Sequence, residues 1–197
     1  MAFIRGQERL VKKTVGMYLL GQLDVLGWFA AQAPYGATGP LTLIDHVPAA
    51  HSVLLANTLG FTSGPIPADE EGELGASNGG LWHTQHVFFC DIYCESIGVA
   101  EALASDVRAA FTGRLSGARR LQPLVDYSQS PPAVAPGHYL EFEDVLTETP
   151  DNQQYKRTWQ VVKLTAHHYY NATEGLVVVT SSMAVPNTYT SNYAANY

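Results

Sequence analysis

The side chains best suited to chemistry in this chain are its histidines, its two cysteines and a few carboxylates. His83 and His86, in the run HTQH, are the first metal-ligand candidates. One ion needs its ligands on one side, and residues three apart in a strand point to opposite faces. His167 and His168 are adjacent and diverge for the same reason. Either pair reaches a common ion only through a bulge, or through a composite site completed by Cys90 or Cys94. The expectation is no metal and no other cofactor.

Catalytic motifs are equally sparse. There is no G-x-S-x-G elbow, no P-loop and no dinucleotide glycine fingerprint, and Ser116-Gly117 ahead of Arg119-Arg120 is too little to stand for one. Glu141 and Glu143 share a strand face at about 6.5–7 Å, which imitates a glycosidase pair but equally describes a solvent face or an interface rim. The expectation is a protein that is not an enzyme. The rival is a small hydrolase-like enzyme using His138, His167 or Glu141 in a pocket.

Cys90 and Cys94 fall on the same face of an apolar stretch, about 13 Å apart if it is a strand. A disulfide needs Cα atoms within about 7 Å, so the pair reads as two buried free thiols of a reducing compartment. Charged residues are 15% of the chain, against about 25% in an average protein. So little charge leaves a large neutral surface, and hidden surface of that kind suits contacts between subunits. The net charge is −7, and basic residues stand side by side only at Lys12-Lys13, Arg119-Arg120 and Lys156-Arg157. Holding DNA tightly needs several cations placed to displace counterions. An acidic surface suits instead a channel through which DNA slides.

These residues must be positioned by a small set of elements. Residues 7–29 repeat apolar side chains at Val11, Val15, Tyr18, Leu19, Leu26 and Phe29, an amphipathic helix. Leu10, Met17 and Leu20 add a second stripe, predicting contact beyond the domain's own core. Arg5, Glu8 and Arg9 interrupt any leader peptide, and Lys12, Lys13 and Asp24 interrupt any membrane span, so a soluble protein without membrane contact is expected. A short strand is expected at 41–45 and a short helix at 51–59 ending at Gly60. Residues 60–80, glycine-rich and carrying Asp69, Glu70, Glu71 and Glu73, read as a flexible loop or an arm ordered by a neighbour.

Residues 81–95 form the strongest strand, apolar on both faces and hence central in a sheet. A helix follows, begun by Ser96 or Gly98 and striped by Ala100, Leu103, Val107, Ala110 and Phe111, with Gly113 past its end. Residues 116–137 read as mostly loop. Residues 138–147 and 155–170 read as a β-hairpin, and 176–181 as a last strand. The whole is an α+β fold: a mainly antiparallel sheet with two principal helices on one face, long loops and a C-terminal extension. A single domain spans 1–182. The uncharged tail 183–197, with Tyr189, Tyr193 and Tyr197, either docks on a neighbour or is disordered.

The strand HTQHVFFCDIYCES running straight into the Ala-rich helix GVAEALASDVRAAFTG resembles the tail terminator proteins of siphophages. The later segment HYLEFEDVLTETPDNQQYKRTWQVVKLTAHH is similar to that family's closing strands. The resemblance covers most of residues 7–170 in element order and rests on patterns of residue type. It implies a bacteriophage structural protein of the neck: a homo-oligomeric ring, expected to be a hexamer, that caps the tail tube and stops viral tail polymerisation.

Its implied partners are further copies of itself, the major tail tube protein and the head-completion proteins of head–tail joining, with DNA only passing through the lumen. The implied location is the top of the tail in the virion, after assembly in the host cytoplasm. The alternative within this reading is another neck protein, a head-closure or tail-completion component. Candidate interface residues are Leu10, Met17, Leu20, Asp69, Glu70, Glu71, Glu73, Arg119, Arg120, Tyr189, Tyr193 and Tyr197.

Overall fold

A computed structural model describes residues 7–44, 57–64, 72–74, 81–112, 121–127, 130–149 and 158–171. The order is α1 (Gln7–Val25), a 3-10 turn (Pro34–Gly36), β1 (Thr42–Ile44), β2 (Thr58–Ser63), β3 (Gly72–Leu74), β4 (Leu81–Cys94), α2 (Ile97–Phe111), β5 (Leu121–Asp126), β6 (Ala133–Glu148) and β7 (Thr158–Asn171). The strands form one sheet in the order β1-β2-β4-β7-β6-β5, with β3 also paired to β4. Among the described residues only β1 and β2 run parallel; the other pairings are antiparallel. The fold is α+β, as the element pattern implies.

Alternation along β4 sends Phe88, Cys90, Ile92 and Cys94 to one face, where they meet Leu164 and Val162 of β7 across the register. Both helices cover this face. Tyr18 of α1 and Phe111 of α2 each hold a ring against Phe142 of β6. The predicted stripe of α2 is buried throughout, and both cysteines are buried free thiols. Tyr93, Val161 and Thr165, on the other face, are buried as well, so the central strands are apolar on both sides.

α1 stops at Val25, short of the expected residue 29, and Gly27 is the reason. Gly27 adopts φ +82°; its N–H donates to the Asp24 carbonyl at 2.8 Å, and the Trp28 N–H donates to the Leu23 carbonyl at 3.1 Å. That pair of bonds is a Schellman ending, which needs a left-handed residue, and the accompanying apolar contact falls to the buried Leu23 and Trp28. α2 begins at Ser96, whose hydroxyl accepts from the Val99 N–H at 3.3 Å. Ser96→Ala is expected to lower stability by about 0.5–1 kcal/mol, read as a shift in the midpoint of urea unfolding.

Three further expectations are corrected. Thr58–Ser63 is a strand rather than the end of a helix; Thr58, Leu59, Gly60 and Phe61 are all buried, and burial on both faces erases the alternation that marks a strand. Residues 60–63 and 72–74 are therefore not loop. Residues 121–126 and 133–137 are strand despite their prolines. β5 lies at the sheet edge, and its pairing to β6 shifts register between Pro123 and Val125. Pro136 and Gly137, the latter at φ +71°, fall in that irregular stretch, before β6 starts to pair with β7 at His138. Prolines are tolerated at edges and bulges for want of a ladder bond to lose. The expected helix at 51–56, Gly113, the strand at 176–181 and the tail 183–197 lie outside the described residues.

Candidate functional site

Strand alternation does separate His83 from His86 and His167 from His168, as expected. Pairing then reunites them in another combination. In β4 against β7, Thr84 lies opposite His168 and Gln85 opposite His167. In β6 against β7, His138 lies opposite Tyr170 and Glu141 opposite His167. Five histidines thus collect at one end of three adjacent strands, His86, His138 and His168 on the helix-covered face and His83 and His167 on the other.

The inner three are buried and form one chain. His138 Nδ1 meets His168 Nε2 at 3.1 Å, His168 Nδ1 meets Thr84 Oγ1 at 3.4 Å, and Thr84 Oγ1 meets His86 Nε2 at 3.1 Å. Tyr170 stacks on both His138 and His168. Burial pulls His86 down to about 4, with His83 adding charge repulsion. Burial pulls His168 down to about 3, with His138, His86 and His83 adding repulsion. Both are neutral at pH 7. With one proton per imidazole each link of the chain has a donor and an acceptor in either direction, because each ring presents one of each.

On the outer face, His83 Nε2 meets His167 Nδ1 at 2.7 Å, and His167 Nε2 faces Glu143 Oε2 at 3.5 Å. The two ring centroids are 4.9 Å apart at an interplanar angle of 10°. That separation is close to the most a 2.7 Å nitrogen contact allows, so the rings meet edge to edge in a linear hydrogen bond. With a proton on Nε2 towards Glu143, His167 Nδ1 accepts from the His83 N–H. Tyr169 packs on the His83 ring, and burial raises its hydroxyl pKa, with the charges of Glu141 and Glu143 and a hydrogen bond to Glu141 adding to the rise.

A metal ion between head-on lone pairs would have to push the rings apart. Among the described residues no three His, Cys, Asp or Glu side chains converge as ligands. Cys90 points into the core, where burial, and then the charge of Asp91, raises its thiol pKa. The arrangement can hold and pass protons and tie three strands together.

The interface candidates fare differently. Leu20 is 1% exposed within the chain's own core, which corrects the expectation that it faces a neighbour. α1 packs on both β5 and α2, so its apolar surface is wider than one stripe. Leu10 and Met17 are partly buried against that same core. Glu73 falls in β3 opposite Trp82. Asp69, Glu70, Glu71, Arg119, Arg120, Tyr189, Tyr193 and Tyr197 lie outside the described residues.

The cross-strand histidine cluster was missed at the sequence level because it depends on register. Its one legible signal was that His138, His167 and His168 all lie on the arms of the same hairpin. Among the described residues no helix is long and apolar enough to cross a membrane. Compared with known proteins, the chain matches no family model and no curated relative.

Proposed function

We propose that this chain is a non-catalytic structural subunit of a siphophage neck, a tail terminator that forms a ring on the tail tube and ends its growth. The observation that carries the reading is the β4–α2 unit. A polar-aromatic strand passes through only Glu95 and Ser96 into an Ala-rich helix, and the long β6–β7 hairpin lies beside it in the same sheet. That is the element order on which the resemblance to terminators rests. The low charge supports it, since a ring closes through head-to-tail contacts that need neutral surface on each subunit. The acidic balance suits a lumen through which DNA passes without being held.

In this reading one ring face copies the docking surface of the tube and the other does not, so capping is binding work without bond chemistry. Tails assembled without this protein are expected to show tubes of uncontrolled length by electron microscopy. Normal tail length together with normal head joining would refute the proposal. Capture of the major tail protein, rather than a portal-side protein, separates a terminator from a head-closure component.

A further inference from the structure

We propose that the histidine contacts on the two faces of the sheet are a register key for β4 and β7, selecting the observed pairing over pairings slipped by two residues. Such a key is independent of the terminator reading and rests on the strand registers.

Alternation decides which face a side chain takes, and a slip of one residue reverses it. A slip of two does not. Phe88 stands opposite Leu164 and Cys90 opposite Val162. Slipped by two, Phe88 would stand opposite Ala166 or Val162, still apolar against apolar. Charge favours one of the slips. Asp91 is opposite Val161 and Phe89 opposite Lys163, whereas moving β7 by two sets Asp91 directly against Lys163, an attractive cross-strand pair. Apolar burial and charge therefore leave the choice open between registers about 7 Å apart.

Two contacts between these strands do discriminate. On the helix-covered face His168 Nδ1 meets Thr84 Oγ1 at 3.4 Å, and Thr84 lies directly opposite His168. On the other face His83, opposite Tyr169, reaches diagonally, its Nε2 2.7 Å from His167 Nδ1. The slip that pairs Asp91 with Lys163 carries His167 opposite Val87, about 13 Å along the strand from His83, and parts the outer contact. The reverse slip sets Thr84 opposite Ala166 and His168 opposite Trp82, and parts the inner one. Each slip thus loses a hydrogen bond that the observed register keeps, worth about 10-fold in the choice between them. Fixing register at some cost in stability is the best-attested use of buried polar groups.

The test traps the register by disulfide formation during refolding from urea in a glutathione redox buffer. Val87 accepts from the Gly64 N–H, so Phe89, two residues on, also directs its backbone groups away from β7. Phe89 and Lys163 are therefore a non-hydrogen-bonded pair, with Cα atoms about 4.5 Å apart. Phe89→Cys with Lys163→Cys reports the observed register. Phe89→Cys with Thr165→Cys or with Val161→Cys reports the two slips. In the observed register those last two pairs are diagonal, about 7–8 Å apart and beyond disulfide reach.

Each pair is placed in the native full chain and in a full chain carrying Thr84→Val, His86→Leu, His138→Phe, His168→Leu, His83→Val and His167→Val. Cross-links are identified by peptide mapping. The ratio of slipped to observed cross-links is expected to rise by about 10-fold in the apolar chain. Its urea midpoint, measured without the reporter cysteines, is expected to be no lower than that of the native chain. An unchanged ratio would mean that helix packing alone sets the register, and overturns the proposal. So does an apolar chain that fails to fold, because the histidines would then supply stability rather than the choice of register.

Discussion

Phe111→Ala is expected to lower the unfolding free energy by about 3–5 kcal/mol, measured by equilibrium urea denaturation at pH 7. Phe111 is fully buried at the end of α2, where three elements meet through three rings. Its centroid lies 4.9 Å from Phe142 of β6, edge to face, and 5.8 Å from Tyr18 of α1, while Tyr18 and Phe142 are 5.6 Å apart. Truncation removes the buried ring and leaves a cavity that its neighbours fill only in part. They cannot collapse freely, because the Tyr18 hydroxyl is tied to the Ala110 carbonyl at 2.9 Å and Phe142 is fixed in the sheet. Phe111→Leu, which keeps most of the volume, should cost well under half as much. A loss below about 1 kcal/mol for the alanine variant would show that the cluster does not hold the helices to the sheet.

The parts of this fold that were legible in the sequence are those where burial is one-sided or where a cap is local. α2 shows its stripe because one side faces the sheet, and Ser96 marks its start because the cap needs only neighbouring residues. β4 was readable from its length and its apolar content on both faces. β2 was not: with Thr58 to Phe61 all buried, no period remained to tell a strand from a helix end. β5 and the start of β6 were hidden by prolines, which say that a central strand is excluded without saying that an edge strand is. The end of α1 rests on one glycine whose positive φ becomes decisive only once Leu23 and Trp28 are seen to be buried together.

The histidine cluster was illegible for a different reason. The divergence of His83 from His86 is a property of one strand and could be read directly. The meeting of His83 with His167, and of His168 with both Thr84 and His138, is a property of two registers. A slip of one residue in either would send every one of these side chains to the wrong face. The residues that looked least promising as ligands within one strand are thus the ones the sheet brings into contact.

Thr14→Val is expected to cost about 2–5 kcal/mol, although it changes neither the size nor the branching of the side chain. Thr14 is 4% exposed. Its Oγ1 donates to the Val125 carbonyl at 3.0 Å and accepts from the Val125 N–H at 3.1 Å. In an antiparallel pair a residue directs its N–H and C=O together, either towards its partner or away. Val125 stands opposite Val134 of β6, and since both its groups go to Thr14, they point away from β6, along the open edge of the sheet.

One hydroxyl on α1 therefore does what a further strand would do, and docks the helix on β5 in the same act. Valine fills the space but leaves a buried donor and a buried acceptor unmet, each worth about 1–3 kcal/mol. Thr14→Ser keeps the hydroxyl and loses one methyl group, so it should cost about 1 kcal/mol. Urea unfolding of the two variants side by side separates hydrogen bonding from packing. If valine were tolerated as well as serine, the edge of β5 would have to be satisfied by something other than Thr14, and the docking of α1 would be a matter of apolar contact alone.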